Sequence, residues 1–162
     1  MLKVTELGGE NIHGFQLNIK WPNPYILWEY KQEHPDKIIV LQCSESALEA
    51  VSCNPTTLVE IAENYIGICD YLLIDPSGGL GKALNPRKGL EYLQQLNVRI
   101  DEMGFGIAGG LSPTTLEDLM GPIVKVYPNT SIDAEGRLRD GDDNLNVVVA
   151  KDFVSKAYAL LQ

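Results

Sequence analysis

The chain has 162 residues, of which 44% are hydrophobic and 22% are charged, values typical of a single globular domain. Its net charge of −9 repels phosphate backbones, which disfavours a nucleic-acid-binding protein. No stretch approaches the roughly 18 apolar residues of a membrane span, and residues 1–10 lack the apolar core of a secretory signal.

The first half of the chain alternates strand-like and helix-like segments. The predicted strands cover residues 12–19, 37–43 and 71–75. In the first of them Phe15, Leu17 and Ile19 alternate with polar Gln16 and Asn18, the period of a half-buried strand. Asparagine followed by proline predicts three helix starts, because Asn caps a helix and Pro suits its first turn. The three pairs are Asn23-Pro24, Asn54-Pro55 and Asn85-Pro86.

The second half continues the same pattern. Two strands are predicted over residues 105–109 and 130–134, with helices opening at Ser112-Pro113 and at Val147. Pro122 is expected to break or kink the first of these helices. The predicted core positions of the last helix, residues 147–161, are Val149, Phe153, Tyr158 and Leu161. Strand and helix thus alternate about five times at roughly 30 residues per unit, which predicts one α/β domain over residues 1–162 with a parallel sheet.

Functional residues of parallel α/β folds lie at the carboxyl ends of the strands. Residues 104–109 spell G-x-G-x-x-G, but these glycines lie inside an apolar run rather than opening a helix, so a dinucleotide site is disfavoured. Gly109 and Gly110 end the strand, where bare backbone lets an anion approach the helix predicted from Ser112. Tight packing of strand against helix, with no ligand, is the alternative.

A carboxylate ends the strand over residues 71–75. Asp75 is followed by Pro-Ser-Gly-Gly-Leu-Gly-Lys, which is not a P-loop because Pro76 and Ala83 stand where Gly and Ser or Thr are required. What remains is a strand-end carboxylate, suited to acid or base chemistry, before a glycine-rich loop that carries Lys82. Alternatively, Asp75 caps the turn that follows it.

The last predicted strand also ends in an acidic residue. Asp133 either orients a ligand hydroxyl or holds its own loop through backbone N–H groups. Glu135 would repel a phosphate group, whereas Arg137 or Arg139 would attract one.

Metal binding has little support in the sequence. Asp140, Asp142 and Asn144 have the spacing of the first ligands of a calcium loop, but Leu145 and Lys151 occupy the positions of its essential Gly and Glu. A solvated loop is the better interpretation, and no zinc site is predicted either.

The cysteines indicate a reducing compartment. There are three of them, with no C-x-x-C pair, which predicts reduced thiols in a cytoplasmic protein. Cys43, at a strand end, is expected to be a small buried hydrophobic residue rather than a reactive thiol.

Taken in order, these segments resemble the C-terminal part of a phosphoribosylanthranilate isomerase-like (β/α)8 barrel. The matching runs are Gln16-Leu17-Asn18, similar to a Gln-Leu-His run in the family's fourth strand, Leu73-Ile74-Asp75 with its Gly-Gly-x-Gly-Lys loop, Ala108 to Leu111 with Pro113, and Ile132-Asp133-Ala134. The resemblance covers nearly the whole chain. It implies about five parallel βα units, equivalent to strands four to eight of the barrel.

The resemblance implies an enzyme of tryptophan biosynthesis that needs no cofactor or metal. Its reaction is an Amadori rearrangement, which converts an N-ribosylated aminoaldose phosphate to the 1-amino-1-deoxyketose. Asp75 matches the acid that protonates the ring oxygen. The residues that the resemblance and the motifs assign to the phosphorylated sugar are Gln16, Asn18, Gly78, Gly79, Gly81, Lys82, Gly109, Gly110, Ser112, Asp133 and Arg137.

The chain departs from the family in ways that leave a second hypothesis open. The family's base is a Cys on its first strand, whereas residues 1–9 are predicted to be the end of a helix before the fourth. Asn18 and Glu135 replace the family's His and Ser. A non-catalytic phosphosugar-binding or assembly module is therefore the alternative. Five parallel strands cannot close a barrel, so we expect either a missing N-terminal segment or a homo-oligomer.

Overall fold

A computed structural model describes residues 1–77 and 83–162, and in these ranges five strands alternate with helices. The strands are β1 Gly14–Leu17, β2 Ile38–Ser44, β3 Tyr71–Asp75, β4 Gly104–Ala108 and β5 Ser131–Asp133. The helices are α1 Leu2–Gly8, α2 Pro24–Glu33, α3 Glu45–Ala50, α4 Pro55–Ala62, α5 Pro86–Arg99, α6 Leu116–Val124 and α7 Val147–Leu160. The short helix α3 was not among the predicted elements.

The strands form one sheet in the order β1-β2-β3-β4-β5, and every neighbouring pair is parallel. Parallel neighbours need a crossover connection. Helix α2 lies between β1 and β2, α3 and α4 between β2 and β3, α5 between β3 and β4, and α6 between β4 and β5. The predicted α/β architecture with a parallel sheet is confirmed.

Alternation along the strands gives the sheet two different faces. The face toward the helices is apolar and forms the main core, with Leu17, Ile39, Leu41, Cys43, Leu72, Ile74, Phe105 and Ile107. The opposite face, called the inner face below, carries Gln16, Gln42, Leu73, Asp75, Gly104, Gly106, Ala108 and Asp133. Its polar members lie toward the carboxyl ends of the strands, the end at which parallel α/β folds carry their functional residues.

The sheet is strongly curved around its inner face. Gln16 is on β1 and Asp133 is on β5, the two edge strands, yet both side chains line one cleft and the Gln16 amide lowers the pKa of the Asp133 carboxyl. A flat sheet would hold these strands about 19 Å apart, at about 4.8 Å per strand, which is too far for such a contact. The carboxyl ends of all five strands therefore face a common centre.

The Asn-Pro helix starts are confirmed. Asn54 Oδ1 accepts the N–H groups of Thr56 at 2.9 Å and Thr57 at 3.2 Å. Asn23 and Asn85 make equivalent bonds at the starts of α2 and α5. Each bond satisfies an N–H group that the helix itself cannot pair.

The helix expected to open at Ser112-Pro113 begins at Leu116 instead. The Ser112 carbonyl oxygen accepts the N–H groups of Thr115 at 3.2 Å and Leu116 at 3.0 Å, so residues 112–115 form a hydrogen-bonded turn before the helix. The helix then continues through Pro122 to its last residue and is not broken there.

Three predicted core positions are exposed. Tyr158 is 69% exposed and Leu161 is 39% exposed. The buried residues of α7 include Phe153 and Ala157, which share one face because they are four residues apart, whereas Tyr158 lies roughly 100° further round. Ile19 is also exposed, because β1 ends two residues before it.

The two 14-residue helices α5 and α7 are the longest in the described part of the chain. No helix among residues 1–77 and 83–162 combines the length and the apolar character needed to cross a membrane.

A methyl group at Gly14 tests the close approach of β1 and β2. Its Cβ would overlap the carbonyl oxygen of Ile38, a backbone atom that cannot rotate away. Gly14→Ala is therefore expected to lower the free energy of unfolding by about 1–3 kcal/mol, measured by urea denaturation. Gly141→Ala is the control, because nothing lies within 4 Å of its Cβ, and it should change stability by less than about 0.5 kcal/mol. Equal stability of the two variants would contradict this strand register.

Candidate ligand site at the carboxyl end of the sheet

A cleft opens on the inner face where the five strands end, and we call it the strand-end cleft. It is lined by Gln16 and Asn18 from β1 and its loop, Gln42 from β2, Asp75 and Ser77 from β3 and its loop, Ala108 to Leu111 from β4 and its loop, and Asp133 to Arg137 from β5 and its loop. Its volume of about 100 Å³ holds about three water molecules at roughly 30 Å³ each. This is enough for one small charged group, such as a phosphate, or for one side of a sugar.

A chain of hydrogen bonds crosses the floor of the cleft from β1 to β3. The side chain of Gln16 lies near Asp133 of β5, whose pKa it lowers, and its Nε2 donates to Gln42 Oε1 at 3.0 Å. Gln42 Nε2 donates in turn to Asp75 Oδ2 at 2.7 Å. Gln42 and Asp75 are 7% and 4% exposed, so these bonds replace the water that each group loses on folding. Two glutamines thus connect carboxylates on opposite sides of the cleft.

Asp75 is held by the chain on both of its oxygens. Oδ2 accepts from Gln42, while Oδ1 accepts from the Ser77 backbone N–H at 3.0 Å and from Ser77 Oγ at 2.6 Å. All three bonds are buried. Both Asp75 oxygens are therefore engaged by donors of the chain, although the residue also lines the cleft.

Asp133 has a different environment. It is half-buried, and burial is the main cause that raises the pKa of its carboxyl above the usual 3.8. The nearby carboxylates of Asp75 and Glu135 raise the pKa further, while hydrogen bonds from Gln16 and from the Ala134 backbone lower it. The protonated form of Asp133 is thus favoured more than for an Asp in water.

The loop after β4 has a backbone that only glycine adopts without strain. Gly109 has a φ of 116° and Gly110 a φ of 65°. The Gly109 carbonyl accepts the Leu84 N–H at 3.1 Å, and the Gly110 carbonyl accepts from Thr115 Oγ1 at 2.9 Å. Both glycines line the cleft, so a ligand can approach this backbone without meeting a side chain.

Ser112 does not have the role predicted for it. It is absent from the lining of the cleft, and its backbone N–H donates to Thr115 Oγ1 at 3.0 Å. Since the helix begins only at Leu116, Ser112 offers no free helix-terminal N–H group to an anion. The predicted anion site is therefore reduced to the glycine backbone before it.

The two arginines after β5 have different surroundings. Arg139 Nη2 donates to Glu135 Oε1 at 2.7 Å, and its Nη1 donates to the Asp143 carbonyl at 2.8 Å. This ion pair offsets the charge of Glu135, the residue expected to repel a phosphate. Arg137, rather than Arg139, lines the cleft.

Most of the predicted site residues that the structure describes lie together. The cleft contains Gln16, Asn18, Asp75, Gly109, Gly110, Asp133 and Arg137. The predictions for Gly78, Gly79, Gly81 and Lys82 fall outside the described residues.

Gln42 and Ser77 were missed. A polar residue inside the apolar run over residues 37–43 was the available signal for Gln42, because a buried polar side chain needs a partner. Ser77, two residues after a strand-end Asp, has the spacing of a local side-chain turn.

Cys43 is the buried core residue that the sequence suggested. It is fully buried on the helix-facing side of β2, and burial raises the pKa of its thiol. Its position on the far side of the sheet from the cleft excludes it as the replacement for a missing base.

No protein-family model matches the chain, and no curated protein and no solved structure matches it either.

The environment of Asp133 predicts a pH dependence of stability. The folded state holds the Asp133 proton more tightly than the unfolded state, so the free energy of unfolding should fall as the pH rises from 3.8 through the raised pKa. Asp133→Asn cannot titrate and should lack this fall. The difference in unfolding free energy between wild type and variant, measured by urea denaturation at several pH values, should therefore decrease with pH. Asp118→Asn, at an exposed position on α6, is the control. A flat difference for Asp133→Asn would contradict the assigned environment.

Proposed function

We propose that this chain is a phosphosugar isomerase-like protein that binds its ligand in the strand-end cleft. The observation that carries this proposal is that all five strand ends converge on one polar cleft with two linked carboxylates, a glycine backbone and an arginine. Ligands of parallel α/β proteins bind at this end of the sheet. The arrangement agrees with the order of motifs that resembles phosphoribosylanthranilate isomerase.

We further propose that the sheet is part of a (β/α)8-type barrel. The curvature that brings β1 and β5 side chains together supports this, as does the regular crossover by helices. Five strands would supply about five-eighths of such a barrel, equivalent to strands four to eight. The inner face would then be the barrel interior, with the cleft at its mouth.

The phosphate of the ligand would lie against the backbone of Gly109 and Gly110, with Arg137 as its cationic partner. Arg137 lines the cleft beside these glycines, and a guanidinium suits a phosphate because it donates two parallel hydrogen bonds. The sugar would lie toward Gln16, Asn18 and Asp133, whose amide and carboxylate groups suit hydroxyl groups. The described cleft is smaller than a typical small-molecule site of roughly 300 Å³, so part of the ligand would extend beyond it.

The reaction class would be an aldose-to-ketose Amadori isomerisation. Its first requirement is an acid near the ring oxygen of the sugar, and the resemblance gives that role to Asp75. Its second requirement is a base at C2. The cleft holds three carboxylates, those of Asp75, Asp133 and Glu135, so the chemistry does not depend on a cysteine.

A specific observation favours a second candidate, a non-catalytic phosphosugar-binding module. Both oxygens of Asp75 already accept hydrogen bonds from the chain. If Asp75 has only this structural role, the cleft can bind a ligand but lacks the acid that the resemblance implies.

Titration calorimetry with ribose 5-phosphate tests the proposed function. Ribose 5-phosphate should bind at least tenfold more tightly than ribose or inorganic phosphate, since only it engages both parts of the cleft. Arg137→Ala should weaken binding roughly 10- to 100-fold, the value of a charge-assisted hydrogen bond. Arg87→Ala, exposed on α5 outside the cleft, should bind like wild type. No binding at millimolar ligand would overturn the proposal, and binding without isomerisation of an N-ribosylated amine phosphate would favour the binding module.

We also propose that a second copy of this chain covers the apolar surface exposed beside the edges of the sheet. In the described ranges no strand pairs with the outer edge of β1 or of β5. Apolar side chains are exposed beside both edges, Leu2, Ile26 and Trp28 on α1 and α2, and Val147, Val148 and Val154 on α7.

Sedimentation velocity tests this pairing. Wild type is expected to sediment as a dimer, because the exposed apolar side chains and strand edges would be covered. Trp28→Glu should sediment as a monomer. Val98→Glu is the control, because Val98 is 76% exposed on α5, away from both edges, and it should remain dimeric. A monomeric wild type would contradict the pairing.

A further inference from the structure

The two carboxylates on the floor of the strand-end cleft differ in what they can do with a proton. Asp75 is 4% exposed and is met by three donors of the chain. Asp133 is half-buried and lines the cleft, and among the described residues no donor held as closely as those of Asp75 is fixed on its carboxyl. Both carboxylates line the cleft, but Asp133 is the less buried of the two and the less fully engaged by the chain.

We propose that Asp133 is the proton-transfer residue of this cleft, acting first as acid and then as base, and that Asp75 positions it through Gln42 and Gln16. This inference rests on the proposed function and changes the residue that performs its chemistry. It also supplies the base for which the resemblance offered no residue in this chain.

The charges around Asp133 support the role of acid. The other charged side chains that line the cleft, among the described residues, are Asp75, Glu135 and Arg137. Two carboxylates against one guanidinium disfavour a further negative charge, and partial burial acts in the same direction. Arg139 offsets part of the Glu135 charge. Asp75 is therefore the carboxylate whose negative charge most disfavours ionised Asp133.

The hydrogen-bond chain supports a positioning role for Asp75. Asp75 Oδ2 orients the Gln42 amide, whose Oε1 then accepts from Gln16 Nε2. Gln16 in turn lies close enough to Asp133 to lower the pKa of its carboxyl. Because Gln16 is on the opposite edge strand, the bonds from Asp75 through Gln42 hold its amide on the side of the cleft that faces Asp133. The Asp133 carboxyl thus keeps its place without a direct bond to Asp75.

Asp133 alone can donate and accept the protons that the reaction requires. Protonated Asp133 donates its proton to the ring oxygen, the C1–O bond breaks with its electron pair on that oxygen, and the nitrogen lone pair forms a C=N⁺ bond. The Asp133 carboxylate then removes the C2 proton, the C–H pair forms a C1=C2 bond, and the electrons of C=N⁺ return to nitrogen. Asp133 is protonated again, and the enolamine tautomerises in water to the aminoketose.

One carboxyl can serve both steps because the ring oxygen and C2 are both bonded to C1. An acid beside C1 reaches either of them with a small shift of the sugar. The step needs no co-reactant, since the proton given to the ring oxygen is replaced by the one taken from C2.

The experiment compares three variants of the full chain, with the phosphate of an N-ribosylated amine as substrate. Asp133→Asn should lower kcat at least 100-fold, the usual effect of removing a general acid or base, while ribose 5-phosphate affinity, to which the Asp133 side chain also contributes, should fall by less than about tenfold. Asp75→Asn should retain more activity. The pH above which kcat/KM falls should be lower in this variant, because the charge that disfavours ionised Asp133 is gone. Glu60→Gln, exposed on α4, should match wild type in rate and pH profile.

A second measurement does not depend on turnover. The ¹³C carboxyl signal of Asp133, assigned by its absence from Asp133→Asn, should titrate at lower pH in Asp75→Asn than in wild type. An unchanged titration would overturn the link between the carboxylates, and near-normal turnover by Asp133→Asn would overturn its role in proton transfer. Wild type that binds ribose 5-phosphate without turnover would overturn this inference alone, whereas wild type that does not bind would overturn the proposed function as well.

Discussion

The arrangement of the site depends on one constraint, the curvature that brings Gln16 of β1 and Asp133 of β5 to the same cleft. A parallel sheet of five strands has its edge strands far apart unless it curves, and these two side chains share a cleft because it does. Curvature has a cost for polar groups, because it removes water from the concave side. Gln42 and Asp75 are nearly without solvent, so each must bond to another side chain of the same face. The chain of hydrogen bonds is therefore a consequence of curving a sheet that has polar strand ends.

The same curvature explains the glycines of β4. A Cβ at Gly104 would overlap the ring of Tyr71, and one at Gly106 would lie 3.0 Å from Leu73 Cδ1. Large side chains of β3 thus lie across the inner face of β4, which has room only for hydrogen atoms or, at Ala108, a methyl group. The G-x-G-x-x-G letters of residues 104–109 arise from this packing. Their first two glycines follow the two-residue period of a strand rather than the turn of a dinucleotide site.

Local patterns predicted the elements, while contacts between distant strands decided the site. Asn-Pro caps and alternating apolar residues act within a few positions, so β3 and the starts of α2, α4 and α5 agree with the sequence prediction. The start of α6 was predicted at Ser112 rather than at Leu116 because a Ser-Pro pair is compatible both with a helix start and with a local turn. In the structure the Thr115 N–H donates to the Ser112 hydroxyl and carbonyl, which forms the turn. Gln42 was missed because its partners, Gln16 and Asp75, are 26 and 33 residues away in the chain. Nothing in the residues next to it indicates them.

In the proposed function, the carboxylate with the more recognisable motif is not the one that transfers the proton. Asp75 stands in the Leu-Ile-Asp run that the resemblance rests on, but Ser77, two residues later, donates to it from both its backbone N–H and its hydroxyl. A carboxylate held on both oxygens orients its neighbours well and exchanges a proton with a ligand poorly. Asp133, in a plainer run, keeps contact with the cleft while Asp75 and Glu135 disfavour its charge. When two acids share a site, their environments divide the roles between them: in the proposed function, the one more fully bonded to the protein would fix geometry, and the less fully bonded one would transfer the proton.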